Sequence, residues 1–256
     1  MKFFFITGGF GNNIFQKIWL ENHKNVKRIS LLERRSFINN FITKFSIHSD
    51  IIGFNDDAIS PSFIDYFMLM ILFVKKKLSS KDFVSVLIFK NEWHFGYYQH
   101  NFLLNEAAVR VYSEISNNKN LELRSIEGDY GVIHFRRGDF ENDDRVLSFD
   151  YYIEAMTYLI NFNKLPKKMV IIGPITEAEV NQFKVRFFCD FVTQGDSELD
   201  DLRLLHNASV AIGSNSTFAF WPICFGKSKT AVFPKEFKKN IKNLQDCKTQ
   251  GSLYVI

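Results

Sequence analysis

The sequence is short of the features that would set it apart as a special class. Its three cysteines, Cys189, Cys224 and Cys247, are odd in number and show no CxxC spacing, so neither a disulfide framework nor a zinc site is indicated, and a reducing compartment is expected. There is no internal repeat and no low-complexity tract, which excludes solenoid and tail-like architectures. There is no basic arm either. The 32 Lys and Arg and 28 Asp and Glu leave a net charge of only +4, spread along the chain, so nucleic acid is not an expected partner. The N-terminus has about five apolar residues before Gly8, too few for a secretory core of 7–15, and a cytoplasmic protein is expected.

A membrane-spanning run is missing as well. The strongest apolar stretch, Phe63 to Val74, is about 12 residues long and contains Asp65, whereas a spanning helix needs ~20. Lys75, Lys76 and Lys77 follow it directly. It reads either as a buried core helix or as a helix lying in a membrane surface, with the lysines against anionic headgroups; peripheral contact at the inner membrane face belongs to the second reading.

What is present is the composition of a soluble globular protein, 46% hydrophobic and 23% charged, with 29 phenylalanines that we assign to packing. The 256 residues fit one large domain or two lobes of ~120, and two lobes are expected. The polar segment Ser116-Asn117-Asn118-Lys119-Asn120 can bury little, which places a boundary there and divides the chain into 1–120 and 121–256.

Lys2–Thr7 is apolar and breaks into Gly8-Gly9-Phe10-Gly11-Asn12-Asn13, after which Ile14, Phe15, Ile18 and Trp19 recur at helical spacing, so the order is strand, glycine-rich turn, helix. Val26–Leu32 reads as a strand, Phe37–Phe45 as helix or loop, Pro61 to Val74 as helix, Asp82–Lys90 as helix or strand, and Asn101 to Ser116 as helix. Beyond the boundary, strands alternate with helices. Tyr130–Phe135, Lys168–Ile172, Phe187–Val192, Val210–Ile212 and Thr230–Phe233 read as strands, the last closing the series. Phe149–Phe162, Thr176–Val185, Glu198–Asn207 and a helix starting at Phe218–Cys224 separate them. This order implies a parallel sheet wound with helices, with ligands beyond the carboxyl ends of the strands.

Three loops carry the chemistry. In His134-Phe135-Arg136-Arg137-Gly138-Asp139, an apolar run ends in two guanidiniums, planar forks that suit phosphate oxygens. A surface Arg–Asp pair is the alternative. Ser214-Asn215-Ser216-Thr217 supplies hydroxyl and amide groups at a helix start, where free N–H groups and the positive dipole end bind anions, or where these residues simply cap the helix. Two such loops in one parallel sheet describe a diphosphate site. The third, Gly8–Asn13, fits the dinucleotide fingerprint at Gly9 and Gly11, with Glu33 about 20 residues on as a ribose-binding acid, although Ile14 occupies the third glycine position.

In order, these segments resemble the α-1,2-fucosyltransferases, glycosyltransferase family eleven, with its N-terminal GGLGNQMFQ, central HxRRGD and late SNSTFSWW. They stand here as Gly8-Gly9-Phe10-Gly11-Asn12-Asn13-Ile14-Phe15-Gln16, His134–Asp139 and Ser214-Asn215-Ser216-Thr217-Phe218-Ala219-Phe220-Trp221. Gly96-Tyr97-Tyr98-Gln99 is similar to the family's GY-F/Y-Q, Asp150-Tyr151-Tyr152 to its DYY, and Asp201-Leu202-Arg203-Leu204-Leu205 to the helix before the last motif. Phe10, Asn13 and Ile14 replace Leu, Gln and Met, Phe220 replaces Trp, and Ile172-Gly173-Pro174 stands where the family often has an FSDD-like segment.

The resemblance implies an α/β protein of the two-lobed GT-B kind with a Rossmann-like C-terminal lobe, a GDP-L-fucose donor and inversion at the anomeric carbon. The first lobe would take the acceptor, a galactose-containing oligosaccharide or lipid-linked glycan of bacterial surface polysaccharide or O-antigen. By the same resemblance Arg136 stabilises the diphosphate, Arg137 assists or holds the loop, and Ser214, Asn215, Ser216 and Thr217 share the charge. His134 and Asp201 would face the guanine. Gly9, Gly11 and Asn12 would line the place where fucose and acceptor meet. The base for the acceptor hydroxyl is expected at Asp139, then Glu141. No cofactor is expected and no metal, since no two aspartates are separated by one residue, the spacing on which metal-dependent sugar-nucleotide enzymes commonly hold the ion. The competing functions are a GDP-sugar- or glycan-binding protein without turnover and an NAD(P)-binding oxidoreductase.

Overall fold

The computed structural model describes residues 1–6, 8–23, 25–30, 58–59, 62–79, 83–88, 90–99, 105–116, 126, 128–137, 146–194, 197–235, 237, 244–247 and 251–256. The α/β class read from the sequence is the class of the structure. The chain divides into two compact units, Met1–Ile115 and Ser116–Ile256.

The first unit is built on β1 (Lys2–Ile6), α1 (Phe10–Glu21), β2 (Val26–Ser30), β3 (Ala58–Ile59), α2 (Phe63–Lys77), β4 (Phe83–Ile88), β5 (Asn91–Gly96) and α3 (Glu106–Ser116). Its sheet runs β3-β2-β1-β5-β4, parallel except for the antiparallel β4–β5 pair. Within the ambiguous segment, Phe83–Ile88 is therefore an edge strand, and β5, which the sequence reading passed over, is its hairpin partner. The two strands are joined through Lys90 at φ 64, the left-handed region that a tight reversal uses. Phe4, Phe5 and Ile6 are fully buried because β1 lies in the middle of the sheet. Helix α2 starts at a capping box. The Ser62 side chain accepts from Asp65 N–H, and the Asp65 carboxylate accepts from Ser62 N–H at 2.8 Å. Asp65 Oδ1 also accepts from Trp93 Nε1 at 3.3 Å, so the acid in the apolar stretch fixes the helix to β5.

The second unit contains β6 (Gly131–His134), α4 (Phe149–Asn161), β7 (Lys168–Ile172), α5 (Glu177–Arg186), β8 (Asp190–Gln194), α6 (Glu198–Asn207), β9 (Val210–Ile212), α7 (Thr217–Phe225), β10 (Thr230–Phe233) and β11 (Ser252–Val255). Its six strands are all parallel, in the order β11-β10-β9-β6-β7-β8. Counted from β6, the chain winds outward to β8, returns beside β6 and winds outward the other way. This is the strand order of the dinucleotide-binding fold, with its reversal between β6 and β9.

Two expectations need correction. Thr230–Phe233 does not close the series, because β11 adds an edge strand. The strand expected at Phe187–Val192 begins only at Asp190, since Phe187 N–H still bonds back to Phe183 O at 2.9 Å and Cys189 N–H turns onto Phe187 O at 3.0 Å. The core is continuous from Ile133, Ile171, Ile212 and Val232 on the sheet to Tyr152, Met156 and Phe183 on the helices. The segment 37–45 and Glu33 lie outside the described residues.

Candidate functional site

Both sheets reverse their winding at one place, and the sequence motifs sit at those two places. In the second unit, β6 runs into His134-Phe135-Arg136-Arg137 and its neighbour β9 runs into Ser214-Asn215-Ser216-Thr217. The parallel register Ile133↔Ile212 puts both strand ends level.

His134 Nδ1 and Ser214 Oγ are 2.6 Å apart, both residues buried. Burial, with the nearby Arg136 charge, pushes the imidazole down to about 3, so the ring is neutral at physiological pH. Beside this pair, Arg136 Nη1 donates to Ser216 Oγ at 3.2 Å. Ser216 is the N-cap of α7, and its Oγ also accepts from Phe218 N–H at 3.2 Å. Two bonds accepted leave the hydroxyl hydrogen as a donor, at a helix end whose dipole favours an anion. Asn215 Oδ1 is buried and has no hydrogen-bond partner among the described residues. An orphaned carbonyl of this kind costs about 1–3 kcal/mol unless a ligand satisfies it.

Arg137 goes the other way. Its Nη1 and Nη2 donate to Glu179 Oε2 and Oε1 at 2.9 and 2.5 Å, a fork-to-fork pair, while its guanidinium lies 5.5 Å from the Phe135 ring centre. Glu179 also accepts from Thr176 N–H at 3.0 Å and from Thr176 Oγ1 at 2.8 Å, closing the capping box of α5. Arg137, first among these contacts, holds the Glu179 carboxyl down at about 2. The neighbouring arginines therefore fork on either side of β6, Arg136 toward the β9 loop and Arg137 toward the helix after β7. Successive residues of an extended chain project to opposite sides, and this separates two identical side chains.

Asp201 lies in the first turn of α6 and borders an open cleft of about 820 Å³ at the carboxyl ends of β7 and β8, with Gly173, Pro174, Thr193 and Gln194. Gly173 has φ +90, and a Cβ there would meet Phe135 O at 2.1 Å, so the two strand ends can pack this closely only around a glycine. Gly138, Asp139 and Glu141 lie outside the described residues.

The first unit's reversal lies between β1 and β5, where Gly8-Gly9 and Gly96-Tyr97-Tyr98-Gln99 leave the sheet. Gln99 Nε2 donates to Asn12 Oδ1 at 2.7 Å, Gln16 Nε2 to Gly96 O at 2.9 Å, and Asn13 Nδ2 to Gln16 Oε1 at 3.1 Å. The two motifs are thus tied by amide hydrogen bonds at two points. Gly8, at φ +89, leaves room for the Tyr97 ring, which a Cβ would meet at 2.7 Å. Gly9 is the N-cap of α1, and Gly11 and Asn12 stand in its first turn. Ile14, in place of the third fingerprint glycine, is fully buried.

Sequence reasoning set the Arg136-Arg137 loop and Ser214–Thr217 at one place, and the structure joins the two loops through His134–Ser214 and Arg136–Ser216 while Arg137 turns away to Glu179. It missed Glu179, although Thr176-x-x-Glu179 is legible as a capping box, because nothing local names its distant arginine. Among the described residues no three of His, Cys, Asp and Glu gather as a metal site would require, and no helix is long and apolar enough to cross a membrane.

No protein-family model matches the sequence, and neither does any curated protein. Among solved structures the chain is similar to E. coli heptosyltransferase WaaC with ADP, at 10% identity over 100% of this chain and 93% of that chain, with a TM-score of 0.47. The same protein with ADP-2-deoxy-2-fluoro heptose gives a TM-score of 0.41 at the same identity and coverage. Likeness at this level does not extend to substrate or mechanism.

Proposed function

We propose that the protein is an inverting, GT-B-like glycosyltransferase that moves L-fucose from GDP-fucose to a galactose hydroxyl, forming an α-1,2 linkage on a bacterial surface glycan or its lipid-linked precursor. The observation that carries the reading is the meeting of Arg136 with Ser216 at the N-terminus of α7, at the point where the second sheet reverses. A fixed cation, a donating hydroxyl and a helix dipole converge where the diphosphate of a sugar nucleotide would lie. The buried Asn215 Oδ1 is an acceptor awaiting a ligand N–H or O–H. The family motifs gathered at both reversals supply the sugar and the linkage.

In the reaction, the bond from the fucose anomeric carbon to the β-phosphate oxygen breaks, and an acceptor hydroxyl attacks that carbon from the opposite face. Arg136 neutralises the charge developing on the leaving diphosphate, and the α7 hydroxyl and N–H groups share it, which is the work a metal ion does elsewhere. Neutral His134, set by Ser214, offers the guanine a hydrogen bond without a charge. Asp201 offers a carboxylate to the base's N1–H and amine from the β7–β8 cleft. A carboxylate near the loop, Asp139 ahead of Glu141, takes the acceptor proton. Arg137 holds the loop through Glu179.

The test is acceptor-dependent release of GDP from GDP-fucose in EDTA, across a panel of β-galactosides, with Arg136→Ala as control. Release lost in the variant supports transfer. Saturable GDP binding with no release on any acceptor would leave a binding protein, and binding of NADH without GDP would leave an oxidoreductase.

A further inference from the structure

Helix α2 is apolar on two opposite sides, and only one of them is used by the fold. Met68, Leu69 and Leu72 are buried at 2, 2 and 0% exposure against Phe5, Val84, Trp93 and Phe95, and Asp65 is buried with them. On the far side Phe63 is 86% exposed, Phe67 54%, Met70 64%, Val74 57% and Leu78 84%. At about 100° per residue these five fall within an arc of about 80°, centred opposite the buried stripe. A helix seated on a soluble protein carries polar residues there.

The charges around this stripe have one sign. Lys75 and Lys77, both exposed, flank it on either side, Lys75 Nζ donating one hydrogen to Ser85 O at 2.7 Å and Lys77 Nζ lying 5.1 Å from the Phe73 ring centre, which leaves each ammonium with hydrogens for an outside anion. The helix's single acid, Asp65, is committed to Ser62 and Trp93 on the buried side, so the outward face carries no carboxylate. We propose that this face is a seat for an anionic lipid surface, with α2 lying flat. The five apolar side chains would enter the acyl boundary, and Lys75 and Lys77 would meet headgroup phosphates. At 15 residues the helix is about 22 Å long and cannot span, but it is long enough to lie in the interface. Charge complementarity favours lipid over a second copy of the chain. A two-fold contact uses the same patch twice, and the outward face of α2 has lysines with no acid of the helix to answer them.

This seat stands independently of the sugar-nucleotide reading and is tested without nucleotide. The full chain is sedimented with vesicles of phosphatidylcholine alone and with about a quarter phosphatidylglycerol. The expected result is binding to the anionic vesicles at least about tenfold tighter than to the neutral ones, weakened by salt. The paired substitutions Phe67→Glu and Met70→Glu should lower that binding about tenfold or more, and Lys75→Gln with Lys77→Gln several-fold. Both pairs lie on the exposed face, so an unchanged thermal midpoint verifies that the fold is intact. If the fold of the glutamate pair fails, Val74→Glu alone repeats the test. The proposal is overturned if the native chain does not sediment with anionic vesicles, or if the glutamate variant binds them as well as the native chain. A dimer dissolved by the same glutamates, with lipid binding unchanged, would also overturn it.

Discussion

The two units solve the same topological problem with different chemistry. Each sheet reverses its winding once, between β1 and β5 in the first unit and between β6 and β9 in the second, and a strand-end loop leaves on either side of each reversal. In the second unit the loops bring a guanidinium, a helix N-cap hydroxyl and a neutral imidazole together. In the first, among the described residues, they bring the amides of Asn12, Gln16 and Gln99 together with glycine backbone and the two tyrosines, Tyr97 against Gly8 and the Tyr98 hydroxyl 3.0 Å from His94 Nδ1. A diphosphate needs fixed positive charge, and a sugar hydroxyl needs neutral donors and acceptors that do not compete for it. Under the proposed function, the second unit's loops suit a diphosphate and the first unit's suit a neutral, hydroxyl-bearing ligand.

The largest test of that contrast is Arg136→Ala. It should weaken GDP binding about 100-fold, read by calorimetry, because a charge-assisted contact to phosphate is lost. Arg137→Ala should weaken GDP far less, since that guanidinium is held by Glu179; equal losses from the two variants would erase the forked arrangement. Next in size, Glu179→Ala should lower stability in urea by about 2 kcal/mol, as the fork pair and the α5 cap go together. Because the folded Glu179 pKa is depressed to about 2, its contribution is complete above the ordinary carboxylate range and is lost as pH falls from about 4.5 toward 2. Glu179→Gln should flatten that acid limb.

His134 gives a separate signature, one confined to acid. A buried imidazole held near pKa 3 makes the unfolded state the better proton binder below about 6.5. Stability should therefore fall by about 1.4 kcal/mol per pH unit on acidifying from 6.5 toward 3, and His134→Asn should remove one such increment. His206, pushed down to about 4 by burial and Lys227, adds its own share and remains in the variant. Smallest of all, Gln99→Ala should cost about 1 kcal/mol of stability and slow transfer while leaving GDP affinity within about twofold. A large loss of GDP affinity would break the division between the units.

The second unit was the more legible of the two in the sequence, and the reason is physical. Buried parallel strands such as Lys168–Ile172 and Val210–Ile212 read as short apolar runs ended by glycine, and Glu198–Asn207 begins at a serine cap with acids in its first turn. The first unit has a mixed sheet, and its β4–β5 hairpin turns at Lys90 with neither glycine nor proline to announce it. The last strand, Ser252–Val255, is an edge strand of four residues with only one buried side chain, Leu253, so its pattern is weak. At the site, the residue types and their order were readable, but the partition of Arg136 from Arg137 was not. It depends on a carboxylate more than forty residues further on, which only the folded β7–α5 connection brings into reach.

The most direct test of the account is calorimetric titration of GDP and GMP, in EDTA, into the native chain and into Arg136→Ala. The account predicts that the native chain binds GDP at least about tenfold more tightly than GMP, and that the variant does not distinguish them, because Arg136 reads the second phosphate. Equal affinity for the two nucleotides in the native chain, or a preference for GDP that survives in Arg136→Ala, would contradict it.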